Sequence, residues 1–270
     1  MWVVAPKDLI TAMTRSSASL RMTSHSPTLR RALVAALFLA GVAVLVVVVQ
    51  PTFVFAILER LFPRILWRVE TTQPLVALTF DDGPHPVYTP QVLDILARHG
   101  AHATFFLIGG RATERPEVVA RIRAEGHEIG NHWWYDVSTR RASVPEYLEL
   151  LGKTEDVLRI GAATPKLFRP PGGRIKSAQL AAALERGYVC VLGSAYPYDP
   201  AHPPAAYIRW LVSKNLAPGA IVILHDGIRD PSRTIEALPG ILDAGKAKGL
   251  QFVSVGELLR GRTPFDRARR

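Results

Sequence analysis

From Pro74 onward, short apolar runs alternate with amphipathic stretches. Residues 75–80, 103–108, 167–169, 188–192, 220–224 and 251–255 are each too short for a helix and are bounded by Gly, Pro or polar residues, so each is read as a strand. The stretches between them carry helix punctuation. Thr89 and Pro90 open a helix that Gly100 closes, and Gly126 closes another over 116–125. Ser143 and Glu146 form a capping box for a helix reaching about residue 160, and Ser177 caps one that Gly187 ends. A β/α alternation repeated this often predicts an α/β fold with a parallel sheet, open or closed into a barrel. Chemistry in such folds gathers at the carboxyl ends of the strands.

Ahead of this region the pattern differs. Residues 1–31 are polar, basic and nearly free of acids, Asp8 being the only one, and they predict a disordered tail. Residues 32–58 contain no charge. Their core, 32–49, would span roughly 27 Å as a helix, close to the hydrocarbon thickness of a bilayer. A single transmembrane helix or signal anchor is the expectation, with a cleaved signal peptide as its rival. Flanking bases slightly favour the N-terminus in the cytoplasm and the large C-terminal part on the extracytoplasmic side; after cleavage that part would be secreted. Residues 59–72 are read as a juxtamembrane linker. The amphipathic stretch 53–67 lies on the membrane surface or packs as an ordinary linker helix. The main domain covers 73–260, and 261–270 form a basic tail.

Composition adds little to this. The chain has 270 residues, 48% of them hydrophobic, with a formal net charge of +10. That charge permits anionic partners, but the bases are scattered and no nucleic-acid motif accompanies them, so no nucleic-acid partner is expected. The single cysteine, Cys190, excludes an intrachain disulfide and reads as a small core residue. The oligomeric state is not legible.

Candidate chemistry lies where the strands stop. Asp81 and Asp82 end the first strand at a Gly-Pro turn. Alternation points them in different directions, so one can bind a cation while the other moves a proton. His132 and Asp136 are spaced i, i+4, and one helical turn would put them on one face, where with Asp82 they make a His-plus-two-carboxylate set. Arg169 precedes a rigid Pro-Pro-Gly-Gly turn and could pair with a carboxylate. Asp199 follows the strand around Cys190. His225 ends an apolar strand, where a near-neutral pKa suits a general acid. Trp133, Trp134, Tyr196 and Tyr198 are either core residues or an exposed stacking surface.

The order Thr-Phe-Asp-Asp-Gly-Pro (79–84), Gly-His-Glu-Ile-Gly-Asn-His (126–132), Arg-Pro-Pro (169–171), Asp199 and Leu-His-Asp (224–226) resembles the polysaccharide deacetylase family, also called the NodB homology domain or carbohydrate esterase family 4. The resemblance covers 73–259. It implies a distorted (β/α) barrel that removes N-acetyl groups from an N-acetylated carbohydrate such as peptidoglycan, chitin or an exopolysaccharide, using one divalent metal ion (zinc, cobalt or manganese). Residue by residue it implies Asp81 as catalytic base, Asp82 and His132 as metal ligands, Arg169 as the group positioning the base, Gly172 as an oxyanion N–H, Asp199 as the partner of the catalytic histidine, and His225 as general acid. Three departures stand out. Asp136 replaces the family's usual second metal histidine, as in a subgroup the chain resembles, which hardens the site and should weaken zinc preference. Gly172 replaces a usual Tyr, and Pro200 stands where a Trp commonly follows Asp199. The sugar-facing surface is therefore expected to use residues such as Tyr198 and Trp133. The lipid bilayer is the second expected partner, through the N-terminal helix. The other reading is a catalytically silent carbohydrate-binding protein on the same fold.

Overall fold

The computed structural model describes residues 27–261 apart from Thr164. The tails at 1–26 and 262–270, including most of the expected N-terminal tail and the basic C-terminal one, lie outside the described residues. By internal contacts the chain divides into Met1–Val47 and Val48–Arg270.

The first unit contributes most of helix α1, Pro27–Val49. It starts inside the stretch expected to be a tail. Its large apolar side chains Leu33, Val34, Leu37, Phe38 and Leu39 are all exposed. Among the described residues, however, no helix is long and apolar enough to cross a membrane, so the transmembrane expectation is not supported.

The second unit is built on β2, Leu75–Gly83, which is buried along nearly its whole length. Its run of Val, Ala, Leu, Thr and Phe suits a strand covered on both faces, as in parallel sheets. On one edge it pairs with β3, Thr104–Leu107, followed outward by β4, Glu128–Asn131, β5, Lys166–Phe168, β6, Tyr188–Val191, and β1, Ile65–Leu66. On the other edge it pairs with β7, Ile221–His225, and at its start with β8, Gln251–Val253. Every pairing is parallel. The chain leaving β6 then bridges back to β7 at Ala195 and Val222, so the sheet curves into a parallel half-barrel.

Helices cover the sheet: α3, Tyr88–His99, α5, Pro116–Ala124, α6, Val144–Leu158, α7, Ser177–Glu185, α8, Ala205–Asn215, and α9, Ser232–Ala247. The short helices α2, Thr52–Leu61, α4, Gly109–Glu114, and α10, Val255–Arg260, complete the set. Phe80, Leu93, Phe105, Leu224 and Ile241 belong to one continuous apolar cluster of strand and helix residues. Gly100 ends α3 in the left-handed conformation that only glycine adopts without strain, and its N–H bonds back to the carbonyls of Leu96 and Ala97. The Ser143–Glu146 capping box forms as expected. Cys190 is fully buried, and burial pushes its thiol up to about 12.

Two boundaries differ from expectation. The sheet begins at Ile65, inside the supposed linker, because Ile65 and Leu66 pair with Cys190 and Val191. The first strand also runs past Phe80 through both aspartates to Gly83, with a register shift between Asp81 and Gly83. We expect Ser143→Ala to destabilise the fold by about 1 kcal/mol, because it leaves the Glu146 N–H without its cap. A shifted denaturant midpoint at unchanged m-value would report it.

Candidate active site

Five carboxyl-end positions of the half-barrel converge on one mouth. Asp81 and Asp82 lie near the end of β2, His132 just after β4, Arg169 just after β5, and His225 at the end of β7. Asp199 opens the short helical turn after β6.

Arg169 is almost wholly buried. Its Nη1 donates to Asp81 Oδ1 at 2.5 Å and to Thr79 Oγ1 at 2.7 Å. Its Nε donates to the carbonyl of Val191 at 3.0 Å and its Nη2 to that of Leu192 at 3.1 Å. The guanidinium plane lies 4.2 Å from the Phe106 ring centroid. Thr79 and Asp81 are two apart and so share one face of the strand. One guanidinium thus reads two successive side chains of β2 while tying it to the end of β6.

Arg169 occupies Oδ1 of Asp81, while the other oxygen, Oδ2, lies 4.0 Å from His225 Nε2. His225 Nδ1 meets Asp199 Oδ1 at 3.0 Å, and its backbone N–H donates to Asp199 Oδ2 at 2.8 Å. Thr234, in the first turn of α9, donates its hydroxyl to the same Oδ2 at 2.9 Å. Asp199 is therefore held from both sides, and with Nδ1–H committed to it, His225 presents Nε2 to the mouth. Burial alone would lower the pKa of His225. The Asp199 charge and hydrogen bond, then the charges of Asp81 and Asp82, outweigh burial and hold it up at about 9.

Asp82 turns differently. Its φ of +68° and the register shift around it give this position the character of a bulge, which re-aims a side chain. Asp82 Oδ1 lies 3.2 Å from His132 Nε2. His132 Nδ1 lies 2.8 Å from the carbonyl of Arg169 and donates to it, which leaves Nε2 on the Asp82 side, donating to Asp82 when protonated and offering a lone pair when not. Burial pushes Asp82 up, but the hydrogen bond and charge of His132, then His225 and Arg111, bring it down to about 2. Gly227 lies flush against this turn: a Cβ there would fall 1.9 Å from the Asp82 carbonyl oxygen, so only glycine fits.

Asp136 does not join this pair. Residues 132–136 are not helical: the Asn131 side chain accepts the Trp133 N–H at 2.8 Å and Trp133 takes φ +64°, so the i, i+4 argument does not apply. Asp136 instead accepts from Arg111 Nη2 at 2.9 Å, and Arg111 Nη1 donates to the carbonyls of Asp82 at 2.5 Å and Gly227 at 2.8 Å. Among the described residues, no three His, Cys, Asp or Glu groups are arranged to hold a metal ion. Asp82 and His132 suit a divalent cation, with a charged oxygen and a correctly oriented imidazole; the third donor is engaged elsewhere.

The substrate-facing expectations divide. Trp133 is 4% exposed and donates its Nε1 to the Tyr147 carbonyl at 3.2 Å, so it belongs to the core and presents no face to a sugar. Tyr198 is half-exposed and its ring lies 4.5 Å from that of Tyr196, which in turn lies 5.8 Å from His225. Gly172 sits at φ +62° in the turn after Arg169, and a Cβ there would meet open space, consistent with a missing groove wall. Asp226 is buried and accepts the Thr89 hydroxyl, and its N–H donates to the Asp81 carbonyl at 3.3 Å. It therefore braces the turn from behind. His127 is held down at about 4, chiefly by burial, and accepts the Ala103 N–H, a structural role. Thr79, Thr234 and Arg111 were not anticipated. Alternation from Asp81 points to Thr79, but no local pattern marks the other two.

The arrangement has known counterparts. The family model for polysaccharide deacetylase matches residues 68–191. A peptidoglycan-N-acetylglucosamine deacetylase of Bacillus cereus is 43% identical over 198 residues, spanning 73% of this chain and 93% of that protein. A chitooligosaccharide deacetylase of Sinorhizobium fredii is 36% identical over 166 residues, spanning 61% of this chain and 77% of that one. Among solved structures, a peptidoglycan N-acetylglucosamine deacetylase in complex with an N-hydroxybenzamide ligand superposes with a TM-score of 0.69. It has 33% sequence identity over 74% of this chain and 95% of that one.

The His225–Asp199 geometry sets a pH dependence. His225 keeps its proton through neutrality, so reactions that need it as an acid should fall as pH rises through about 9. Asp199→Asn removes the main influence holding that pKa up, and the alkaline fall in kcat/KM should move down by at least about one pH unit. A pH–rate profile checks this.

Proposed function

The chain belongs to the polysaccharide deacetylase family, and from that premise we propose how its own residues carry out the reaction. It is a metal-dependent hydrolase that removes N-acetyl groups from an amino-sugar polymer or oligosaccharide. The observation that carries the residue assignment is the buried carboxylate of Asp81, fixed by Arg169 on one oxygen and facing His225 with the other.

Asp81 acts as the base. Arg169 holds Oδ1, so Oδ2 takes the proton of the attacking water. His225, protonated and oriented by Asp199, donates from Nε2 to the departing amine nitrogen. Acetate and a free amine leave. Asp82 and His132 would hold the divalent metal, which when bound polarises the acetamide carbonyl and lowers the pKa of water. The Gly172 N–H is assigned to the developing oxyanion, and Tyr198 to the sugar rings. Asp136 would complete the metal set only by leaving Arg111. A silent binding protein has no use for a base and an acid on opposite sides of one gap.

We further propose that the N-terminal part associates with a membrane, the catalytic unit lying on its extracytoplasmic side. Two features support this. The exposed apolar side chains of α1 have no charge among them from 32 to 49. Phe53, Ile57 and Leu61 of α2, spaced i, i+4, i+8, are all at least half exposed on one helix face.

The full chain, stripped of metal and reloaded with zinc, cobalt or manganese, should release acetate from chitooligosaccharides or peptidoglycan fragments only when metal is present. Asp81→Asn should abolish that release while leaving metal affinity intact. Metal-independent release would overturn the assignment. Asp136→Ala should weaken metal binding by tenfold or more in calorimetry if the carboxylate leaves Arg111 for the metal; an unchanged Kd would reduce the protein ligands to Asp82 and His132. In cell fractionation at low salt, the full chain should sediment with membranes; recovery in the soluble fraction would remove the membrane reading.

A further inference from the structure

Beside the metal corner lies a cavity of about 410 Å³, bounded by the Pro84 turn, α4 and the loop after β7. Its walls carry Arg111, Arg115, Arg229 and His85 against only two carboxylates, Glu114 and Asp136. Arg111 is committed to Asp136 and to two backbone carbonyls. Arg115 Nη1 donates to the Glu114 carbonyl at 2.8 Å and pairs loosely with its carboxylate, at 3.7 Å. Arg229 is exposed and makes no hydrogen bond or ion pair among the described residues. His85 accepts the N–H groups of Val87 and Tyr88 on Nδ1, both at 3.1 Å. Its neutral ring therefore carries its proton on Nε2, which is left to donate. Burial, then the charges of Arg111 and Arg115, hold that ring neutral, so the cavity is electropositive at the position of His85.

We propose that this cavity is a subsite for a carboxylate carried by the glycan, with Arg229 and Arg115 as its charged contacts and His85 as a further donor. The cavity shares the turn after Asp82, so an acidic substituent seated there belongs to the sugar being deacetylated or to its immediate neighbour. Arginine suits the task because its fork pairs with a carboxylate through two hydrogen bonds. The proposal rests on the deacetylase reading for the identity of the ligand, but not for the existence of the anion site. It makes the enzyme selective for acidic N-acetylated glycans over neutral ones of the same length.

The test is calorimetric binding to the full chain without metal, where nothing is turned over, followed by acetate release with metal present. The ligands are a neutral N-acetylhexosamine oligomer, the same oligomer with ether-linked carboxylates, and that acidic oligomer bearing short peptides. The acidic oligomer should bind about tenfold tighter than the neutral one, and 0.5 M salt should erase most of that difference. Arg229→Gln and Arg115→Gln should each reduce the preference several-fold and leave neutral binding unchanged, and Arg229→Lys should keep part of it. Arg229 lies in an exposed loop, so its loss should not unfold the chain. Tighter binding of the peptide-bearing strand would place the recognised carboxylate on the peptide and still support the site. Equal affinity for neutral and acidic oligomers, or variants that weaken both alike, would overturn it. Preference for the acid with no acetate from any substrate would keep the subsite and remove the hydrolase reading instead.

Discussion

The buried pair of Arg169 and Asp81 is the constraint on which the rest of this molecule depends. Taking both charges out of water costs several kcal/mol each, and Coulomb attraction repays that only when the remaining donors are also satisfied. Here they are met by Thr79 and by two backbone carbonyls at the end of β6. A well-packed apolar pair would serve stability as well or better. What the ion pair provides instead is geometry. One oxygen of Asp81 is held fast, and the other is left to face His225 at 4.0 Å.

The same pair links the fold to the chemistry. Arg169 leaves β5, grips two residues of β2 and reaches the carbonyls where β6 ends, and the chain beyond β6 bridges to β7 through Ala195. The strands that close the half-barrel are thus the strands that carry Asp81 and His225. His132 is oriented by the backbone carbonyl of Arg169 itself. The base and the metal corner therefore share one residue as their support, through its side chain and its main chain respectively.

Much of this was legible in sequence, for identifiable reasons. Gly100, Gly126 and the Ser143 capping box mark helix ends because their physics is local. The apolar runs mark strands because parallel strands are buried on both faces. Strand β4 escaped because Glu128-Ile129-Gly130-Asn131 has one large apolar residue and reads as a motif, not as a run. Strand β1 escaped because two residues carry no periodicity, and their pairing with β6 is long-range. At the site, residues on strand ends were legible through their order along the chain. The i, i+4 argument for His132 and Asp136 assumed a helix, whereas the Asn131 side chain caps a bend there. Arg111 could not be foreseen, since its three partners come from three separate loops.

The charges of the mouth favour a cation. Asp81, Asp82, Asp199 and Asp226 are all buried, against one arginine and two histidines in contact with them. Asp226 is pushed up to about 7 by burial, a rise the Thr89 hydrogen bond opposes and the negative charges of Asp82 and Asp81 reinforce. His132 is raised by Asp81 and Asp82 despite full burial, and His225 by Asp199 and both β2 aspartates. Both histidines are thus raised by the surrounding carboxylates, while Asp82 is lowered in return: the pocket holds more negative charge than its arginine neutralises. A divalent ion at Asp82 and His132 would take over that balance in place of a proton on His132. Arg111 lies at the edge of this negative region, tied to the Asp82 carbonyl and to Asp136. On its far side the cavity turns positive. The boundary between a cation site and an anion site is thus a single guanidinium, and its hold on Asp136 couples the two.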